Sequence, residues 1–201
     1  MTSPELQSLT SFRVTVSYGR QQTTFDIWGT DRATPVARLY RAGAYDSLRA
    51  LQLLVGPQLT DIAGYVTERA AYAPNRTELG TVNSRFGAPR RKRWSVTQPG
   101  LPVLTGHPTG ASANRYRFPF SLVLTGVANN VLPFNFLFDA KDSTGFLVSR
   151  SAGVRARFSA TIHDPRVDRR LVLATVVALN RFESSDVRQE AVDLTANPFN
   201  T

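Results

Sequence analysis

Along most of this chain apolar and polar residues alternate with a period of two, and in one place near the C-terminus the alternation stops. Phe12-Arg13-Val14-Thr15-Val16-Ser17-Tyr18 alternates, and Thr24-Phe25-Asp26-Ile27-Trp28 follows across Gly19-Arg20-Gln21-Gln22, which predicts a hairpin. Asp31 to Pro35 turns the chain into a third alternating segment, Val36 to Arg41. Short extended segments follow at Ala50–Val55, Ile62–Thr67, Gly80–Ser84, Arg93–Thr97 and Val103–Thr105, separated by Gly, Pro, Asn and Asp; Ala44 to Leu54 also fits a short helix. Tyr116–Val127 and Leu132–Asp139 are longer and aromatic-rich, and Gly145–Ser149 and Val154–Ile162 bring the total to about twelve strands. Pro57, Pro89, Pro99, Pro102 and Pro108 fall at the inferred connections, where a missing backbone donor does no harm. Pro99 to Asn114 reads as a long exposed loop.

The exception is Leu171 to Leu179, LVLATVVAL, a run that demands burial on every side. At helical rise it covers only about half the hydrocarbon thickness of a bilayer, so it is too short to span one. It is therefore expected as a core helix near 165–183, with Asp164 before Pro165, or Asp168 one turn later, as N-cap. Val172, Val176 and Val177 do little for an isolated helix, so tertiary burial has to hold it, and that burial contributes about 10 to 20 kcal/mol before entropy is subtracted. Many short strands and one all-round apolar helix predict a closed antiparallel barrel, mainly β, with the helix in its lumen. The expected organisation is a flexible leader at 1–10, the barrel and helix at 11–186, and a tail at 187–201.

A chain of 201 residues can bury a single core without staples. It has no cysteine, which excludes disulfides, thiolate metal sites and a cysteine nucleophile. The N-terminus has neither the basic start nor the apolar stretch of a signal peptide, so a cytoplasmic location, peripheral at the membrane, is expected. The net charge of +9 is carried almost wholly by arginine, since Lys92 and Lys141 are the only lysines. Arginine bias reflects a GC-rich genome on one reading and attraction to anionic partners on another. The arginines look scattered along the chain except at Arg90-Arg91-Lys92-Arg93.

Several segments together bear a likeness to a known family: Asp61–Val66, Leu79–Val82, Arg93–Val96, Phe134–Asp139, Thr144–Arg150 and Asp164–Glu183. In their order and spacing, from Phe25 to Phe182, the chain resembles the tubby C-terminal-like superfamily, in its LURP-one-related and phospholipid scramblase branch. The resemblance implies a twelve-stranded barrel threaded by a hydrophobic C-terminal helix, and basic surface residues that bind phosphoinositide-type headgroups. Scramblases carry a proposed acidic calcium segment just upstream of that helix. Here Val154 to Ile162 has two arginines and no carboxylate, which leaves no oxygen ligands for calcium.

His107 and His163 are the only histidines, and no HExxH, nucleophile elbow or phosphate-loop motif accompanies them. No catalytic residue, cofactor or metal is expected, and a lumen filled by the helix leaves no room for an enclosed substrate. The candidate site is Arg90, Arg91, Lys92 and Arg93, followed by Trp94, as a binding site for anionic phospholipid headgroups. If the segment enters a strand with Trp94 inward, Arg91 and Arg93 form the outward pair. The same run also fits a solvated turn that protects a sheet edge. Arg115 and Arg117 around Tyr116 raise a nucleic-acid surface as an alternative, although Tyr116 and Phe118 fit one face of a core strand. A protein-binding module with incidental charge is the remaining alternative.

Overall fold

The computed structural model describes residues 3–19, 21–30, 33–43, 49–87, 91–110, 133–153 and 157–184. Twelve strands form a closed antiparallel barrel in simple up-and-down order, each pairing with its sequence neighbours and β1 pairing with β12. They are β1 (Ser11–Tyr18), β2 (Gln22–Gly29), β3 (Ala37–Ala42), β4 (Leu51–Val55), β5 (Asp61–Val66) and β6 (Ala70–Tyr72), then β7 (Glu78–Gly87), β8 (Arg91–Thr97), β9 (Leu104–Pro108), β10 (Phe134–Ala140), β11 (Ser143–Arg150) and β12 (Arg157–Ile162). A short helix, α1 (Ser3–Gln7), precedes the barrel, and α2 (Arg169–Ser184) follows it.

The expected barrel and its helix are present, but two members of the strand set differ. Ala70–Tyr72 makes β6, too short for a period-of-two test to detect. The strand expected at Val103–Thr105 is β9, Leu104–Pro108, which runs on into what reads as a Gly/Pro loop, because Gly106 and Pro108 lower the β-propensity there while pairing with β8 and β10 holds it. The expected strand at Tyr116–Val127 and the tail from 187 onward lie outside the described residues, as do residues 44–48 of the optional helix, whose remainder supplies β4. β9 and β10 bond to one another directly, from Phe136 opposite Pro108 to Asp139 opposite Thr105, and this completes the ring.

The period of two works as a packing rule. Phe12, Val14 and Val16 point inward from β1, Phe134, Phe136 and Phe138 from β10, and Phe158, Ala160 and Ile162 from β12, all buried. Arg13, Arg157, Ser159 and Thr161 alternate with them on the outside, exposed. Every residue of α2 from Leu171 to Asn180 is buried, so the helix occupies the lumen. Its apolar run begins beside Gly80, at the start of β7, and ends where Asn180 Nδ2 donates to the Tyr18 hydroxyl at the end of β1. We call the barrel end where α2 begins the near end and the other the far end.

The helix lies closest to β5, β6 and β7, whose inner positions are small, and the wider gap opposite is filled by phenylalanines. A Cβ on Gly80 would sit 2.8 Å from Leu171 Cδ1 and collide with the Thr97 carbonyl oxygen, and one on Gly64 would meet Arg170 Cδ at 3.2 Å. Glycine at these two positions is what lets the helix approach the wall. Across the lumen Phe138 and Phe146 stack with ring centroids 4.7 Å apart, and Phe134 meets Phe136 edge-on at 5.6 Å.

Polar groups at the near end fix where the helix starts. Asp168, not Asp164, is the N-cap: its Oδ1 accepts from the Arg170 amide at 2.9 Å, and its carbonyl accepts from the Leu171 amide at 3.0 Å. Gln98 Oε1 accepts from the Asp168 amide, and Gln7 joins both sides of the cap, donating to Asp168 Oδ1 and accepting from the Arg169 amide. Residues 3–9 of the expected leader are thus built into the near end: α1 buries Leu6 completely, and the Leu9 carbonyl accepts from Arg169 Nε. The Arg169 guanidinium also donates to the carbonyls of Pro165 and Val167, while burial pushes its pKa down. Burial works against the Asp168 anion, yet the Arg170 guanidinium, both bonding and attracting it, holds its carboxyl below the usual carboxylate range. Asp164 closes the preceding turn; hydrogen bonds from Arg166 and from the Ser143 hydroxyl at 2.7 Å outweigh desolvation and hold its carboxyl well below that range.

Candidate anion-binding site

The basic run lies at the far end, on the hairpin of β7 and β8. Arg90 is outside the described residues; Arg91 and Lys92 are the first two positions of β8. Arg93 is exposed and Trp94 is only 3% exposed, so the strand turns its tryptophan into the core and Arg93 outward, as the alternation predicts. Arg91 shares the register face of Arg93.

Strand register also brings in an arginine that linear reading overlooks. Arg85 of β7 lies directly opposite Arg93 of β8, and Gly87 opposite Arg91. Like charges directly opposite one another in a sheet repel. The outer wall elsewhere follows the opposite rule: Asp26 of β2 faces Arg38 of β3, and Arg38 Nε donates to its carboxylate. A signal for Arg85 was available in the sequence, since a hairpin centred near residue 89 pairs positions equally spaced about it.

Other polar side chains meet at the same end of the barrel. Thr23 faces Arg41 across β2 and β3 and faces Tyr18 across β1 and β2, so the three form one row beside Asn180 of α2. Thr23 and Arg41 are buried, Tyr18 is half exposed, and Arg41 donates to the Arg49 carbonyl at 3.1 Å. Arg150, at the end of β11, is also buried. Arg181 closes the helix against Glu68 at 2.8 Å. Buried arginines such as Arg41 and Arg150 sit at inward strand positions where the alternation predicts apolar residues, which hid them from a reading of periodicity.

The two histidines are not brought together. His107 belongs to β9, where its Nε2 lies 3.6 Å from Asp139, and His163 follows β12, with β10 and β11 between them. Among the described residues no group of three or more His, Cys, Asp or Glu side chains is placed to hold a metal. No helix among them is long and apolar enough to cross a membrane.

No family matches this chain. Comparison with family models, with curated proteins and with solved structures returns no match in any of the three. The Arg115–Tyr116–Arg117 alternative lies outside the described residues.

Proposed function

We propose that this chain is a non-enzymatic tubby-like, LURP-one-related domain that binds anionic lipid headgroups at a membrane surface through the β7–β8 hairpin. The observation that carries the reading is the register of that hairpin, which pairs Arg85 with exposed Arg93 and puts Arg91 two positions along β8. A phosphate placed between two guanidinium groups accepts charge-assisted, bidentate hydrogen bonds and relieves the repulsion between them. The lumen supports a surface role as well, because α2 and the phenylalanines facing it occupy the space where a barrel enzyme would hold a substrate. Kinship with the tubby superfamily rests on twelve strands closed round a C-terminal apolar helix.

The test is sedimentation with phosphatidylcholine vesicles that contain phosphatidylserine or a phosphoinositide. The parent should sediment with these and stay in solution with phosphatidylcholine alone, and Arg91→Ala combined with Arg93→Ala should abolish most of the binding. Equal sedimentation of parent and double variant would remove the hairpin from the account.

A further inference from the structure

We infer that the outer wall where β1 meets β12 is a second anion site, which holds the phosphate group of a soluble phosphate ester, or inorganic phosphate itself, between Arg13 and Arg157. Register makes the site. Arg13 lies opposite Ser159 and Thr15 lies opposite Arg157, so these residues form a block with a guanidinium at each end of one diagonal and a hydroxyl at each end of the other. Phe12, Val14, Phe158 and Ala160 alternate with them and are buried, which turns the block outward. Arg13, Arg157 and Ser159 are exposed. Diagonal neighbours in an antiparallel pair stand about 7 to 8 Å apart, a separation that two arginine side chains can close around one phosphate.

Lack of partners sets these two arginines apart. Other cations are matched: Arg38 bonds Asp26, Arg166 bonds Asp164, Arg170 bonds Asp168, Arg181 bonds Glu68, and Arg76 lies over the Tyr65 ring. Among the described residues, the cationic side chains that enter no ion pair or hydrogen bond are Arg13, Arg93, Lys141 and Arg157. Arg93 belongs to the β7–β8 hairpin and Lys141 is followed by Asp142 in the turn after β10, whereas Arg13 and Arg157 share one block. The sole carboxylate in β11, β12, β1 and β2 is Asp26, which faces Thr15 from β2 and accepts from Arg38 Nε. Arg150, the remaining arginine of those strands, is buried and faces the lumen. An incoming anion therefore meets two guanidinium groups that no carboxylate has already claimed.

The hydroxyls complete the donor set. Trp28 of β2, opposite Arg13, donates its indole Nε1–H to Thr15 Oγ1 at 3.0 Å. A hydroxyl that accepts from an indole keeps its own proton for a further acceptor. The Ser159 hydroxyl has no partner among the described residues. Phosphate oxygens are such acceptors, and two guanidinium groups match the charge of about −1.5 to −2 that a phosphate monoester carries at neutral pH. The choice of a soluble phosphate rests on the lipid-binding reading above. The block lies across the ring from the hairpin, with β9, β10 and β11 between them on one side and β2 to β6 on the other. A barrel that rests on a membrane by the hairpin turns the block toward solvent.

Amide NMR of the isotope-labelled protein, titrated at constant ionic strength with inorganic phosphate or glycerol phosphate in exchange for chloride, tests the site. Saturable shifts should gather at residues 13–15, 28 and 157–159. Arg13→Ala and Arg157→Ala should each weaken the affinity about tenfold, and Ser159→Ala about threefold. All three side chains are exposed, so the variants keep the fold. The Arg13→Ala, Arg157→Ala double variant should still sediment with phosphatidylserine-containing vesicles as the parent does. Shifts that do not saturate, that gather elsewhere, or that survive the double substitution overturn the site. Loss of vesicle binding in the double variant overturns the soluble source and makes the block part of the lipid-binding surface. A parent that ignores the vesicles but shows the phosphate shifts removes the lipid-binding reading and leaves the phosphate site standing.

Discussion

The two ends of this barrel use arginine in opposite ways. At the near end the guanidinium groups of Arg166, Arg169 and Arg170 are bonded into the turn and cap that start the helix, and the Asp164 and Asp168 carboxylates sit within hydrogen-bond distance of them. At the far end Arg93 stands exposed near the start of β8, with Arg85 of β7 opposite it in register. The same residue type thus serves positioning at one end and presents charge at the other.

That contrast breaks most visibly at the cap. Asp168→Ala removes the N-cap and leaves a largely buried Arg170 without its carboxylate, and should cost about 3 to 4 kcal/mol in urea unfolding. If the loss is below about 1 kcal/mol, the near-end network does not anchor the helix. A comparable change at the far end, Arg157→Ala, should stay within about 0.5 kcal/mol, as exposed substitutions do.

A smaller effect is expected at Asp164, and it carries a pH signature. The folded carboxyl ionises well below its unfolded value, so the unfolded chain takes up the proton first as pH falls. The stability contributed by this group is therefore complete above about pH 4 and drains away as pH drops through the folded value. Asp164→Asn should lose about 1 kcal/mol at neutral pH through the weakened bond from Ser143, and thermal melts of parent and variant should converge on acidification. Parallel melting curves across that range would exclude the ionised Asp164 as the cause.

The smallest change sharpens the comparison most. Arg93→Glu converts the like-charge pair with Arg85 into an attractive one, so the variant should gain about 0.5 kcal/mol while binding anionic vesicles less well than Arg93→Ala. A gain in stability together with a loss of binding is the mark of a residue kept for its surface chemistry. Loss of both would make Arg93 structural.

The architecture was legible in the sequence to an unusual degree because two periods do not overlap. Alternation from Phe12 to Ile162 identified strands, and Leu171–Leu179 could be nothing but a buried segment. Escapes from that reading have physical reasons. β6 is three residues long, the second half of β9 contains Gly106 and Pro108, and α1 is held by Leu6 and Gln7 through contacts with residues far away in sequence. Of the candidate site, Arg93 beside Trp94 was readable from alternation alone, whereas Arg85 required the register.

The helix in the lumen has a further consequence for how the chain is made. The seam of the ring joins β1 to β12, and α2 comes after both, so the wall is completed and its centre filled by segments far downstream of β1. Until they emerge, the inward phenylalanines of β1, β2 and β10 have neither a closed wall nor a core to cover them, and β1 presents an unpaired edge. Such an order of events makes the growing barrel dependent on β12 and α2, and places the longest-range contacts of the fold late in its assembly.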